Sequence, residues 1–208
     1  QIAMEHLKQP IIRKQEETGD VVVNFHPDLT RLIRETRYLD RMGFTIPDTA
    51  LNVTLQEDKY HGYVESLQAM LEYYHQAKAM CSPVERKLLA KRLDKLKKVL
   101  NHGFDPLNWN SLGIPDFVVA VNKAVGEFLS LVHQVQKNSS IIDKVVKQIA
   151  SAQTVVEPSV SPDAEVPDLQ EFYEWMEKTR TEKVEELLRK YRTIAPLLGK
   201  IEEAVAGT

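Results

Sequence analysis

Along most of the chain apolar residues return every three or four positions, the period of an amphipathic α-helix. One stretch breaks that rhythm: the β-branched runs IIRKQ (11–15) and VVVNF (21–25) flank EETGD, where Gly19 can take the positive φ of a tight turn. That pattern predicts a β-hairpin, which is marginal alone and must lean on helices. Before it, residues 1–9 read as the end of a helix stopped by Pro10, because proline lacks the backbone donor and clashes with the preceding turn.

From Pro27 to Met42, Leu29, Leu32, Ile33, Thr36 and Leu39 share one helical face, Arg31, Arg34, Arg37 and Arg41 lie on others, and Gly43 supplies a left-handed stop. A short helix over 48–55 and a long one over 57–80 follow. In the long one Tyr60, Val64, Leu67, Leu71 and Tyr74 form a seam that Tyr63, Met70 and Ala77 widen into a broad buried face. Ser82, Pro83 and Glu85 have the spacing of a capping box with proline at the first helical position. They predict one helix over 83–102, with Leu89, Leu93, Leu96 and Leu100 as its seam and His102–Gly103 as its stop. The connection FDPLNWNSLGIP (104–115) is rich in turn formers yet carries Phe104, Leu107 and Trp109, so it is expected to pack down on the core.

The longest element spans 116 to about 150, where Phe117, Val121, Ala124, Phe128, Leu131, Val135, Asn138, Ile142, Val145 and Ile149 alternate steps of four and three. This is a heptad seam with one polar interruption, at Asn138. Val118, Val125, Leu129 and Val132 add a second stripe, which predicts contact with more than one neighbour. SAQTVVEPSVSPDAEVP (151–167), poor in large hydrophobes and holding three prolines, reads as a linker or surface loop. Beyond it Asp168 and Glu171 have capping-box spacing, and a helix to about 195 carries Leu169, Phe172, Tyr173, Met176, Val184, Leu187, Tyr191 and Ile194. Pro196 is expected to break it, leaving a last helix over 197–205. The expected fold is mainly all-α, an elongated antiparallel helical bundle with one small β-hairpin. Its expected parts are a bundle over 1–150, a linker over 151–167 and further helices over 168–208.

Composition narrows the classes of function. A chain of 208 residues, 43% hydrophobic and 27% charged, can bury a core without disulfides, and its net charge of -3 gives no global attraction to nucleic acid or to an anionic membrane. No run approaches the roughly 20 apolar residues of a membrane span. The start QIAMEHLKQP lacks the pattern of a signal peptide, and a single cysteine, Cys81, points to a reducing compartment such as the cytosol. A first residue Gln1 and a helical pattern running nearly to Thr208 are what a piece of a longer chain would show.

Catalytic signatures are missing. The eight glycines are scattered singly, with neither GxxxxGK[ST] nor GxGxxG, so no nucleotide or other cofactor is expected. His6, His26, His61, His75, His102 and His133 show no HExxH or paired helical spacing, and each reads as a solvated or core-edge histidine with no metal. Cys81 precedes a helix N-terminus that could lower its pKa, but a small structural thiol is the simpler reading. A helical hydrolase using Cys81 or a glutamate pair is the rival from the enzyme class. The strongest electrostatic feature is the basic run Arg86, Lys87, Lys91, Arg92, Lys95, Lys97 and Lys98, set against only Glu85 and Asp94. Without interleaved aromatics to stack bases, it suits an acidic helix better than nucleic acid. One exists at 163–177, with Asp163, Glu165, Asp168, Glu171, Glu174 and Glu177 and no lysine or arginine before Lys178. Trp109 is open to two readings, a plug at the end of the bundle or an anchor for a partner.

Three blocks carry a family resemblance. VNFHPDLTRLIRETRYLDRMGFTIPDTA (23–50), LNWNSLGIPDFV (107–118) and LQEFYEWMEKTRTEKVEELLRKYRTIAPLLGKIEEAV (169–205) resemble, in order, the N-terminal tail of dynein heavy chains of the axonemal type. His26 departs from the pattern, which often has Asp before Pro27, so capping of that helix is expected to differ. The resemblance implies a non-catalytic stem segment of a ciliary or flagellar motor. It implies as partners WD-repeat intermediate chains, other heavy chains, docking proteins and light chains, with the ATPase ring outside this segment. A spectrin-like or adaptor bundle is the alternative, against which the hairpin and the tryptophan-asparagine-serine block speak.

Overall fold

The computed structural model describes residues 5–153 and 168–206, and it is mainly α-helical with one two-stranded antiparallel sheet. The strands are β1 (Ile12–Lys14) and β2 (Val21–Val23), paired Ile12 to Val23, Arg13 to Val22 and Lys14 to Val21. The helices are α1 (Pro27–Arg41), α2 (Asp48–Leu55), α3 (Glu57–Met80), α4 (Pro83–Leu88), α5 (Ala90–Asn101), α6 (Ile114–Ala150), α7 (Leu169–Arg192) and α8 (Ile194–Ala206). The chain divides into two compact units, Gln1–Ser130 and Leu131–Thr208, with the boundary inside α6. Of the expected linker, residues 154–167 lie outside the described residues.

In the first unit the hairpin forms because Gly19 adopts a φ of +69°, and it leans on α3 as its marginal size requires. The Val21 carbonyl accepts a hydrogen bond from His75 Nε2 at 2.9 Å. The predicted seam of α3 supplies much of the core: Tyr60, Leu67, Met70, Leu71, Tyr74 and Ala77 are buried. They pack in a unit whose other buried side chains include Leu29 and Ile33 of α1, Leu96 and Leu100 of α5, and Phe117, Val121, Val125 and Phe128 of α6. Each large apolar side chain so removed from water contributes about 1.5–3 kcal/mol before the entropy of ordering is set against it.

Two local expectations need correction, at Leu89 and at Pro196. The helix expected over 83–102 is two helices, because Leu89 departs from helical geometry (φ -92°, ψ 18°). Its side chain is fully buried, and the bonds Leu89 N–H to Glu85 O and Leu93 N–H to Leu89 O survive across the break. The expected stop holds, since α5 ends at Asn101 with His102 as its C-cap, but Gly103 beyond it does not use a positive φ, which occurs only at Gly19 and Gly43 among the described glycines. It is glycine because a Cβ there would lie 2.7 Å from both Ile12 Cδ1 and Phe117 Cζ. At the far end α7 stops at Thr193, and Pro196 falls in the first turn of α8, where its missing N–H had no helical partner to lose.

The second unit contains the last part of α6, where Val132, Val135 and Asn138 are buried, together with α7 and α8. α7 opens on Asp168, whose carboxylate takes the Leu169 N–H at 2.7 Å in place of the expected reciprocal box with Glu171. None of the α7 side chains is buried.

Candidate interaction surfaces and the tryptophan contact

Trp109 is set by a turn that its neighbours write. Asn108 Oδ1 accepts from Asn110 N–H (3.0 Å) and from Ser111 Oγ (3.3 Å), while Ser111 Oγ accepts the Asn108 N–H (3.1 Å). This Asx-type turn turns the indole inward, where it is 0% exposed. Its Nε1–H donates to the Asn24 carbonyl at 2.9 Å, and its ring meets Phe25 edge-on with centroids 4.8 Å apart. The Trp109 N–H donates to Leu7 O, Pro10 bridges to Asn108, and Asn24 Nδ2 donates to Pro10 O. The NF and NWNS blocks, 85 residues apart, are therefore two halves of one contact. A side chain so placed offers nothing to a partner at the surface; it holds the entering chain, the hairpin and the loop before α6 together.

Part of the basic run is engaged within the chain. Arg86 turns back on α3, donating from Nε to Cys81 O (2.9 Å) and from a terminal nitrogen to Lys78 O (3.0 Å). It thereby satisfies carbonyls at a helix C-terminus, where positive charge is favoured. Lys97 pairs with Asp94 at 3.2 Å, Arg92 is half-buried, and Lys87, Lys91, Lys95 and Lys98 are exposed. Of the acidic run, Asp168, Glu171, Glu174 and Glu177 are exposed on α7, whereas Asp163 and Glu165 lie outside the described residues.

α7 presents the largest set of exposed apolar side chains. Leu169 is 67% and Tyr191 66% exposed, and Tyr173, Trp175, Met176, Val184 and Leu188 are exposed as well. Phe172 lies 6.3 Å from Tyr173 and 6.2 Å from Trp175, a small aromatic group in a helix that buries nothing. Trp175 was not singled out by periodicity, although its spacing of three from Phe172 carried the signal.

A thiol and a histidine–aspartate cluster remain. The Cys81 thiol is 1% exposed, and burial, with a smaller push from Glu85 and against the pull of Arg86, raises its pKa, opposite to the lowering that activates a nucleophile. His6, His26 and Asp28 bring one ligand-type atom each to within 4.8 Å of one another. His26 Nδ1 caps α1 by accepting the Asp28 N–H at 3.2 Å, so the residue that departs from the family pattern still caps the helix. No spacing in the sequence could have shown that His6 joins them, because long-range packing brings it there.

Residues 1–117 match the family described as dynein heavy chain, N-terminal region 1. The chain is 58% identical over 207 residues, 100% of its length, to the dynein-1-alpha heavy chain of the flagellar inner arm I1 complex of Chlamydomonas reinhardtii. It is 39% identical over 193 residues, 92% of the chain, to human dynein axonemal heavy chain 10. With the gamma chain of the flagellar outer arm of Chlamydomonas reinhardtii it shares 26% over 129 residues, 62% of the chain. It spans 4% of the length of each of the first two relatives and 3% of the third.

Proposed function

The chain belongs to the dynein heavy chains of the axonemal type, matching their N-terminal region, and on that footing we propose that it is a non-catalytic stem segment that helps assemble a ciliary or flagellar motor. The observation that carries the reading is 58% identity over the whole chain to a flagellar inner-arm heavy chain, against 26% to an outer-arm chain. That contrast favours an inner-arm parent. ATP hydrolysis belongs to parts of the parent chain outside these residues, and the segment's own role is to give shape and attachment. Its partners in this reading are WD-repeat intermediate chains, other heavy chains, docking proteins and light chains. Two features support attachment: α7 leaves an aromatic face uncovered, and Lys87, Lys91, Lys95 and Lys98 stand exposed on α4 and α5. Among the described residues no helix is long and apolar enough to cross a membrane.

Immunoblotting of isolated axonemes with an antibody to this segment tests the proposal. The antigen is expected in the axoneme, on a chain far longer than 208 residues, extracting with the inner arms. An antigen confined to the detergent-soluble fraction would overturn the stem reading. Release together with the outer arms would overturn the inner-arm assignment alone.

A further inference from the structure

At the N-terminal end of α1 three side chains from two remote stretches of chain converge. His6 Nε2 lies 3.8 Å and His26 Nδ1 3.4 Å from the same Asp28 oxygen, and the two imidazole rings lie parallel with centroids 3.7 Å apart. We propose that this cluster is a divalent transition-metal site of the zinc class, ligated by His6, His26 and Asp28 and completed by water.

The donor set points to that chemistry. Two imidazoles and one carboxylate suit zinc, cobalt or nickel, whereas calcium and magnesium require more oxygen ligands. Zinc–ligand bonds of about 2.0–2.1 Å in a tetrahedron place the donors roughly 3.3 Å apart. The 3.4 and 3.8 Å separations are close to that value, and the two stacked rings must turn about their Cβ–Cγ bonds until both planes contain the ion. Asp28 also offsets the positive end of the helix, which would otherwise repel a cation.

The scaffold holds the backbone of both ligand stretches before any ion arrives. Gln9 N–H bonds to His6 O, Trp109 N–H to Leu7 O and Asn24 Nδ2 to Pro10 O, so the stretch carrying His6 is tied down just beyond it. On the other side His26 is held as the N-cap of α1. A histidine kept for structure alone ordinarily hydrogen-bonds through its ring. His6 does not: Nδ1 is buried without a partner, and the Nε2 contact exceeds hydrogen-bond length. A metal at Nε2 would give the ring the directional contact it lacks, leaving Nδ1 as the nitrogen without a partner. His6 is 14%, His26 40% and Asp28 50% exposed at the side chain, which leaves an open side for water. Binding takes the His26 lone pair that now accepts the Asp28 N–H, so one capping bond is exchanged for a coordinate bond. The result would fasten the entering chain to the start of α1.

Calorimetric titration of the metal-stripped chain with zinc chloride, above the ordinary imidazole pKa of ~6.5, tests this. One saturable site is expected, with a rise in Tm on saturation. His6→Ala and His26→Asn should each weaken it more than ~10-fold, a loss that changes behind the ligands alone can produce. Asparagine is a strong N-cap, so His26→Asn removes the imidazole while keeping the helix start, and it decides the matter even where His6→Ala fails to fold. His61→Ala, at an exposed His61–Glu65 pair, should leave binding unchanged. Absence of saturable binding, binding unaltered in His26→Asn, or binding lost in His61→Ala would overturn the proposal.

Discussion

Adding one methyl group at Gly103 would press a Cβ to 2.7 Å from Ile12 and Phe117, side chains that are themselves buried and have little room to retreat. Gly103→Ala is expected to cost about 1–3 kcal/mol, seen as a lower urea midpoint at unchanged slope. A second residue-scale effect concerns alkaline pH. Burial raises the pKa of Cys81, Tyr60 and Tyr74, reinforced by Glu85 at Cys81, Tyr63 at Tyr60 and Asp20 at Tyr74, while Arg86 and Lys97 oppose it at Cys81 and Tyr74. These groups ionise first in the unfolded chain, so the stability they contribute is full below the ordinary thiol range and is lost as pH rises through their folded values. Tm is expected to fall between about pH 8 and 11, with a later onset in Cys81→Ala. At this scale the sequence was legible where one residue dictates its own backbone, as at Gly19 and Gly43. At Gly103 it showed the helix stop but not the close approach of Ile12 and Phe117, which are far away in sequence. The His6 cluster was hidden for the same reason.

Helices were readable wherever a cap and a period agreed. Ser82 Oγ accepts the Glu85 N–H and Glu85 Oε2 accepts the Ser82 N–H at 2.8 Å, as the spacing predicted, and α3 spans the expected residues. The break at Leu89 was not readable, because the run from 84 to 102 holds no proline or glycine and its apolar period continues through the break. Pro196 invited the opposite error: it signals a boundary but marks the start of α8 as readily as the end of α7. The heptad seam of α6 raises a prediction of its own. Asn138 is buried in it with Nδ2 unpartnered, so Asn138→Leu should stabilise the chain by about 1 kcal/mol in denaturant titration. A fall in stability would mean that the amide has a partner the seam does not supply.

Across the whole molecule the two units differ in how deeply they bury their helices. α3 and the first half of α6 line the core of residues 1–130, whereas α7 in residues 131–208 has only half-buried and exposed side chains. Amide hydrogen exchange is therefore expected to be slowest in α3 and early α6 and fastest in α7; equal protection of α7 would contradict its lack of buried contacts. The mainly helical class, the hairpin and the family were all legible, since each rests on local pattern or on motif wording. The exposure of α7 was not, because periodicity marks an apolar face without saying what covers it. The chain's two tryptophans happen to sample this contrast, Trp109 wholly buried in one unit and Trp175 40% exposed in the other. Native fluorescence should thus be a sum of a blue-shifted emission that acrylamide barely reaches and a red-shifted one that it quenches readily. A partner settling on α7 would dim the quenching of the second alone, so the chain carries its own optical readout of which unit has been touched.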